Sequence, residues 1–191
     1  MSQIALFDTT PAYPEGFRYE EDILSSATEQ DLLAQIPELP FREFEFHGYT
    51  GKRRVVSFGW KYDFSARTLD EVAPIPSYLL PVRDLAASFA GLTPEALEHV
   101  LVTEYSPGAA IGWHKDKAVF GDIVGISLKS ACTFRLRRAV GDRWERVNVI
   151  AKPRSAYLLR GASRTEWEHS IPAVDELRYS LTFRTRVGGT P

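Results

Sequence analysis

Short strand-like segments separated by turn signals fill the second half of the chain, and this pattern most constrains what the chain can fold into. From Val100 onward, β-branched and aromatic runs alternate with turns such as Ser106-Pro107-Gly108 and Gly141-Asp142. Seven or more short strands at this spacing are typical of a β-sandwich or a jelly roll. We expect one of these two folds in the second half and take the jelly roll, a double-stranded β-helix, as the prediction.

The first hundred residues have a different pattern, which predicts helices. Residues 28–36 and 77–91 have helical periodicity, and they end at a proline and a glycine respectively. Thr93-Pro94-Glu95 resembles the start of a third short helix, which would contain His99. The expected fold class is α+β, mainly β, with N-terminal helices packed on one outer face of the jelly roll.

Between the first two helices, residues 53–64 are β-branched and aromatic, which predicts a hairpin or an extended flap. No linker or repeat divides the chain. We expect one domain over residues 1–191, in which 1–99 provide helical support and a flap, and 100–187 form the jelly-roll core.

Cysteine content and hydropathy indicate the cellular setting. Cys132 is the only cysteine, so no internal disulfide can form, and a reducing cytoplasm is the expected location. No run approaches 18 consecutive apolar residues, and the N-terminus lacks the features of a signal peptide. We expect neither a membrane span nor a membrane partner, and we expect a monomer.

The net charge of −2 conceals an uneven distribution of charges. Residues 1–100 contain 8 Lys/Arg against 16 Asp/Glu, whereas residues 101–191 contain 15 against 9. Between Arg135 and Arg164 there are nine basic and two acidic residues. This segment could attract phosphate groups, or it could consist of solvated hairpin positions.

His114 and Asp116 are one residue apart at the end of an apolar segment. On a strand, residues i and i+2 point to the same face, so the two side chains could share a metal ion or a proton, or both could face solvent. His169 lies shortly before the final strand and completes a set of two imidazoles and one carboxylate. That set is typical of non-haem Fe(II) oxygenases.

The final predicted strand alternates strictly between apolar and polar residues. Tyr179, Leu181 and Phe183 alternate with Arg178, Ser180, Thr182 and Arg184. The polar face could lie in solvent, or it could line a cavity inside a jelly roll. In a cavity, two arginines about 20 Å apart along the strand would suit a small dianion, because each guanidinium can bind one carboxylate in bidentate fashion.

Over residues 100–186 the chain resembles AlkB-type 2-oxoglutarate- and Fe(II)-dependent dioxygenases. Five segments carry the resemblance: Tyr105-Ser106-Pro107-Gly108, His114-Lys115-Asp116, the hairpin IVGISLKSACTFRLR, Trp167-Glu168-His169, and Arg178–Arg184. The resemblance implies that Fe(II), 2-oxoglutarate and molecular oxygen are required. It also implies that His114, Asp116 and His169 bind the iron.

The same resemblance assigns the 2-oxoglutarate site. Arg178, Ser180 and Tyr105 would hold the distal carboxylate, and Arg184 would lie near the carboxylate that chelates the metal. Many members of the family have asparagine at the positions of Thr103 and Ser180. Both hydroxyl groups can still form hydrogen bonds with a carboxylate.

The resemblance implies oxidative dealkylation of DNA or RNA bases, as in DNA repair, with alkylated single strands as partners. Trp60 and Tyr62 in the flap could hold a flipped base, although core aromatics would give the same pattern. Ala118 stands where repair members often have a second acidic residue, so recognition of amine-bearing bases should be weak. The alternatives are a dioxygenase that hydroxylates or demethylates a protein side chain or a small molecule, and a binding module without catalysis.

Overall fold

The computed structural model describes residues 13–46, 49–63, 66 and 68–188. Its helices among these residues are α1 (Ser26–Gln35), α2 (Leu80–Ala90) and α3 (Ala162–Thr165), with short 3₁₀ turns at Ile36–Glu38, Ser77–Leu79 and Pro94–Ala96. Its strands are β1 (Phe17–Glu20), β2 (Arg42–Phe46), β3 (Tyr49–Phe58), β4 (Trp60–Asp63), β5 (Thr68–Glu71), β6 (His99–Tyr105), β7 (Ile111–His114), β8 (Phe120–Leu128), β9 (Cys132–Val140), β10 (Arg143–Ala151), β11 (Ala156–Leu159), β12 (Glu168–Ile171) and β13 (Arg178–Arg186).

Two antiparallel sheets form the body of the molecule. The large sheet has the strand order β1-β11-β8-β13-β6-β3-β2, and the small sheet has the order β10-β9-β12-β7. Strands β4 and β5 form a separate two-stranded ribbon. Since the two sheets face each other across a shared apolar layer, the predicted jelly roll is confirmed.

Two apolar clusters lie on opposite faces of the large sheet. The outer cluster packs α1 and α2 against the sheet, through residues such as Leu32, Val82 and Leu181. This packing confirms the predicted placement of helices on one outer face. The inner cluster lies between the sheets, where Tyr105 and Tyr157 of the large sheet contact the layer that contains Phe134 of the small sheet.

The side chains of strand β13 point alternately to the two faces of the large sheet. Tyr179, Leu181 and Phe183 belong to the outer apolar cluster. The polar residues of the strand from Arg178 to Arg184 are also buried, so their face points into the jelly roll rather than into solvent. The polar face therefore lines the interior, where each buried donor needs an acceptor.

The first hundred residues differ from the expected helical support in two ways. Strands β1, β2 and β3 extend the large sheet at both of its edges, so residue 99 is not a boundary within the sheet. The expected third helix is a single 3₁₀ turn, and His99 instead begins β6, where it pairs with Arg184. Sheet pairing with β13 and β3 outweighs the weak helical signal that follows Pro94.

The flap consists of β3 and the ribbon β4–β5, joined at Gly59. Gly59 has φ of 77°, and a β-carbon there would overlap the Glu98 carbonyl oxygen, so only glycine fits the turn. His47 and Phe64 lie outside the described residues. None of the helices that the structure describes is long and apolar enough to cross a membrane.

Candidate active site

The pairing of β7 with β12 brings two histidines together. His114 and His169 are direct partners in the antiparallel register, and their ring centroids are 4.2 Å apart. One ligand atom from each of these rings and one from the Asp116 carboxylate lie within 4.8 Å of one another. This spacing suits three ligands of one metal ion on a common face.

Asp116 reaches this position from a loop rather than from a strand. Strand β7 ends at His114, so the expected i, i+2 strand geometry is wrong for the carboxylate. Arg184 contacts the carboxylate, with Nη2 3.2 Å from Asp116 Oδ1. Burial alone would raise the pKa of Asp116, but the nearby Arg184 and His169 outweigh burial and hold the pKa below its usual range. The carboxylate is therefore ionised and suited to bind a cation.

Hydrogen bonding orients His114, and burial keeps His169 neutral, so both rings can serve as ligands. The Nδ1–H of His114 donates to the Gly112 carbonyl oxygen at 2.8 Å, which leaves Nε2 free to bind a metal. Burial, followed by the effect of His114, lowers the pKa of His169 to about 3. His169 also stacks against the Phe134 ring at a centroid distance of 5.4 Å, which fixes the plane of the imidazole.

Arg178 lies at the other end of the inward polar face, and its side chain has an unused donor. It is 1% exposed, and its Nε donates to Ser127 Oγ at 3.2 Å. Its Nη1 is buried and has no hydrogen-bond partner among the described residues. The guanidinium carbon lies 4.9 Å from the centroid of the Tyr105 ring. A buried cation with an unused donor fits a carboxylate ligand.

Three hydroxyl groups lie beside Arg178 on the inner face of the large sheet. Ser180 pairs with Thr103 of β6 on one side and with Ser127 of β8 on the other. All three residues are buried. They offer further donors for the same carboxylate, and Ser180 is the one that the resemblance assigns to the distal end of 2-oxoglutarate.

Arg184 joins the metal ligands to this polar face. Besides contacting Asp116, it lies close to His99, with Nη1 3.4 Å from His99 Nδ1. Its Nε is buried without a hydrogen-bond partner among the residues described. Arg178 and Arg184 thus place unused donors at both ends of one buried strand face, which fits a dicarboxylate that extends from the metal site.

Two polar residues of this interior were not assigned a role from the sequence. Ser127 lies in an apolar segment, and its role follows only from the pairing of β8 with β13. Arg53 is the middle residue of the basic run Lys52-Arg53-Arg54, which by itself indicates no role in the interior. The register places it opposite Tyr105, hence on the inward face, with its guanidinium carbon 3.8 Å from the centroid of the Phe44 ring.

Arg53 has no carboxylate partner among the described residues, and Nη1 donates to the Ala110 carbonyl oxygen at 3.5 Å. Burial lowers its pKa, while Tyr105 and Asp116 act in the opposite direction, so Arg53 lies within electrostatic reach of the metal ligand. The isolated sequence could have revealed this only through the alternation of β3, in which Arg53, Val55 and Ser57 share one face.

The three predicted substrate residues have different environments. Tyr62 lies beside the loop that follows β7 and carries Asp116, which we call the metal loop. Lys117 Nζ of this loop is 5.5 Å from the centroid of the Tyr62 ring. Trp60 is covered by Arg186, whose guanidinium carbon is 4.0 Å from the ring centroid. Ala118 lies in an exposed turn after the metal loop, not on the expected strand, because β7 has already ended.

The basic segment between Arg135 and Arg164 is largely neutralised by ion pairs. Arg137 pairs with Glu168, Arg138 with Glu145 and Glu166, Lys152 with Glu21, Arg154 with Asp22 and Glu29, and Arg160 with Asp122. Arg164 is buried and donates to backbone carbonyl groups. The expected phosphate-binding stripe is therefore much weaker than the sequence suggested.

A family model described as the 2OG-Fe(II) oxygenase superfamily matches residues 16–184. The chain belongs to that superfamily. It is an AlkB-type member, an oxidoreductase that uses Fe(II), 2-oxoglutarate and molecular oxygen.

Two curated relatives support the AlkB-type assignment. The chain is 27% identical over 210 residues to an Arabidopsis thaliana protein named "Alkylated DNA repair protein ALKBH8 homolog", covering 95% of this chain and 58% of the relative. It is 28% identical over 169 residues to the mouse protein "tRNA (carboxymethyluridine(34)-5-O)-methyltransferase ALKBH8", covering 84% of this chain. The chain spans only 24% of the mouse protein.

Two solved structures have the same fold. OsALKBH1 superimposes with a TM-score of 0.66 at 17% identity, covering 90% of this chain and 97% of that structure. A Pseudomonas putida prolyl-4-hydroxylase superimposes with a TM-score of 0.60 at 15% identity, covering 91% and 94% respectively. These similarities show that this AlkB-type enzyme shares its fold with both structures.

In this AlkB-type oxygenase, His114, Asp116 and His169 would hold the iron, and the unused donors of Arg178 and Arg184 would hold 2-oxoglutarate. Together, the bound iron, 2-oxoglutarate and oxygen supply the oxidising chemistry. The protein keeps His169 neutral through burial, orients the carboxylate of Asp116 through Arg184, and would surround the co-substrate with buried side chains that exclude water.

Proposed function

We propose that this enzyme oxidises alkyl groups on bases of single-stranded DNA or RNA. The observation that carries the proposal is the composition of the side of the metal site that faces the flap. Tyr62 offers an aromatic ring beside the metal loop, and Arg53 points inward on β3 with its guanidinium against Phe44. Aromatic faces hold extruded bases, and guanidinium groups donate hydrogen bonds to base carbonyls.

The names of the relatives support the same substrate class. One is named for the repair of alkylated DNA, and the other for the modification of a tRNA uridine. Oxidation of a carbon attached to a base nitrogen would release the alkyl group as an aldehyde, whereas oxidation of a carbon–carbon side chain would leave a hydroxylated base.

Succinate release is the direct test of this proposal. Matched single-stranded DNA and RNA oligonucleotides carrying N-methylated bases should stimulate 2-oxoglutarate turnover above the rate without substrate, and mass spectrometry should detect the altered base. His114→Ala is the control that loses both signals. If methylated oligonucleotides give no more turnover than unmethylated ones, the nucleic-acid proposal is wrong.

A protein or small-molecule substrate is the second candidate, and the ion-paired arginines favour it. Most of the positive charges expected to contact phosphate groups have carboxylate partners instead. Methylated lysine and arginine peptides should therefore be assayed beside the oligonucleotides. Turnover that only peptides stimulate would replace the first proposal with this one.

A further inference from the structure

The outer face of the small sheet carries exposed and half-buried aromatic and basic side chains that the active site does not use. We call this set the outer patch, and it comprises Trp113 of β7, Arg135 and Arg137 of β9, and Trp144 and Arg146 of β10. Trp144 is 44% exposed, and the neighbouring Ile150 on the same face of β10 is 52% exposed. Exposed apolar side chains that are grouped on one face, rather than scattered singly, indicate a contact surface.

Cation–π contacts join the outer patch except for Arg146, which lies opposite Arg137 in the register of β10 and β9. The Arg137 guanidinium carbon lies 4.4 Å from the Trp113 ring centroid and 4.1 Å from the Trp144 ring centroid, so it stands between the two indoles. Arg135 lies 4.9 Å from the Trp113 ring centroid. The series indole–guanidinium–indole crosses the sheet from β7 to β10, roughly 14 Å at the usual strand spacing.

The outer patch retains positive charge that the structure does not neutralise. Arg137 pairs with Glu168, whose carboxylate oxygen is 2.6 Å from Nε. Arg135 donates through Nε to Ser170 Oγ at 3.0 Å, and neither Arg135 nor Arg146 has a carboxylate partner among the residues that the structure describes. Three cations therefore face one carboxylate, which complements a polyanion.

The outer patch begins next to the metal site in the chain, on the opposite face of the same strand. Trp113 immediately precedes the ligand His114 on β7, which is the edge strand of the small sheet. Alternation along the strand sends His114 inward and Trp113 outward. A chain whose reacting unit enters the metal site can therefore continue past this edge and across the outer patch.

We propose that the outer patch binds the part of a single-stranded nucleic acid that flanks the oxidised base. The exposed Trp144 ring and the half-buried Trp113 ring offer stacking surfaces for bases, and guanidinium groups without a carboxylate partner can contact phosphates. This combination binds single strands with little sequence preference. This inference rests on the proposed nucleic-acid substrate and adds the place where the rest of the strand binds.

Binding of fluorescent 12-residue single-stranded oligonucleotides, measured by anisotropy over a range of salt concentrations, tests the inference. The test variant is Trp144→Ala/Arg146→Ala in the full chain. The matched control is Leu85→Ala/Lys129→Gln, which removes one exposed apolar side chain and one positive charge elsewhere on the surface. Circular dichroism and 2-oxoglutarate turnover without substrate check that both variants are folded.

The test variant should bind oligonucleotides more weakly by about tenfold or more. The slope of log affinity against log salt concentration should become less steep by about 0.7, the value expected for the loss of one phosphate contact on a single strand. The control should bind like the wild type. Turnover of a modified mononucleoside should be the same in all three proteins, because a mononucleoside does not reach the outer patch.

Three outcomes would overturn the inference. If the test variant binds like the wild type while methylated oligonucleotides are still oxidised, the outer patch is not the binding surface, although the proposed function stands. If the wild type binds no oligonucleotide at low salt, both fail. If polyglutamate displaces the oligonucleotide more effectively than unlabelled DNA or RNA, the outer patch binds an acidic protein instead.

Discussion

At the scale of single residues, the two buried arginines of β13 act differently because their neighbours differ. Arg184 lies beside a metal ligand and is partly satisfied by the Asp116 carboxylate. Arg178 has a serine hydroxyl as partner and retains a buried donor that no described residue accepts from. An unsatisfied buried cation is costly in the free protein, so Arg178 gains most from a bound carboxylate.

Arg178→Lys should therefore weaken the binding of 2-oxoglutarate strongly. The ammonium group keeps the charge but loses the planar arrangement of donors that matches a carboxylate. We expect the apparent KM for 2-oxoglutarate to rise at least tenfold, corresponding to the loss of roughly 1.5–3 kcal/mol for a charged hydrogen bond. Titration of 2-oxoglutarate in the succinate assay measures the change, and an unchanged KM would contradict the assigned site.

Arg53→Ala should separate substrate binding from co-substrate binding. Arg53 lies on the flap side of the site, so its loss should lower kcat/KM for the prime substrate about tenfold, as expected for one lost hydrogen bond to a charged donor. Turnover of 2-oxoglutarate without substrate should change little. Lys61→Ala, on the face of β4 opposite Trp60 and Tyr62, is the control. A large rise in the KM for 2-oxoglutarate in Arg53→Ala would place Arg53 in the co-substrate site instead.

At the scale of elements, one carboxylate ties three strands of the large sheet together. Glu104 of β6 accepts hydrogen bonds from Arg54 Nε and Nη2 of β3, at 2.8 and 2.9 Å, and from the Tyr179 hydroxyl of β13 at 3.1 Å. The Arg54 hydrogen bond lowers the pKa of Glu104 despite partial burial. Strand β3 of the flap is thereby fixed to β13, the strand that carries Arg178 and Arg184.

This cluster predicts a pH-dependent contribution to stability. Because the pKa of Glu104 is lower in the folded protein than in the unfolded chain, its stabilisation is present above the unfolded value of about 4.3 and is lost as the pH falls below it. Glu104→Gln should lower the free energy of unfolding by about 1–2 kcal/mol at pH 7, given that Arg54 is half exposed.

The difference between wild type and Glu104→Gln should shrink toward pH 3.5 in urea denaturation experiments. Asp175→Asn, which changes an exposed acid before β13, serves as the control and should behave as the wild type at both pH values. A difference of the same size at pH 7 and pH 3.5 would show that the carboxylate charge contributes nothing.

Several elements could be predicted from the sequence because their signals are local. The alternation of β13 predicted a polar face within the strand. The metal-binding set of His114, Asp116 and His169 followed from residue types together with the resemblance to AlkB-type enzymes, because spacing alone left other roles open. Strands β1 and β2 gave weaker local signals and were missed, and β1 pairs with β11, far along the chain. Part of β3 was predicted, because residues 53–58 fall within the β-branched and aromatic flap segment.

Ion pairing could not be predicted for the same reason. The carboxylates that neutralise Lys152 and Arg154 come from Glu21, Asp22 and Glu29, more than a hundred residues earlier in the chain. A count of charges within one segment cannot include such partners. The inward position of Arg53 likewise depends on its register opposite Tyr105, which the sequence does not reveal.

At the scale of the whole molecule, the metal site connects the two sheets. His114 and His169 belong to the small sheet, while Asp116 is held by Arg184 of the large sheet. Any ligand that binds the folded protein and not the unfolded chain stabilises the fold by mass action. Metal and 2-oxoglutarate should therefore stabilise the entire jelly roll and not only one element.

Loading with Mn(II), used in place of Fe(II) to prevent oxidation, should raise the melting temperature in differential scanning fluorimetry. At a hundred times the dissociation constant, the gain is about 2.7 kcal/mol, or roughly 5–10 °C for a chain of this size. EDTA should reverse the shift, and 2-oxoglutarate should increase it. If His114→Ala shows the same shift as the wild type, the metal binds elsewhere.

The burial of Cys132 between the sheets should protect the enzyme against oxidative inactivation during turnover. Cys132 is 7% exposed, and burial raises the pKa of its thiol although the nearby Arg178 acts in the opposite direction. A protonated, enclosed thiol reacts slowly with oxidants, because the thiolate is the reactive form. Since this is the only cysteine in the chain, cycles of oxygen activation leave no accessible sulfhydryl to oxidise, and repeated turnover in air should not inactivate the protein through disulfide-linked dimers.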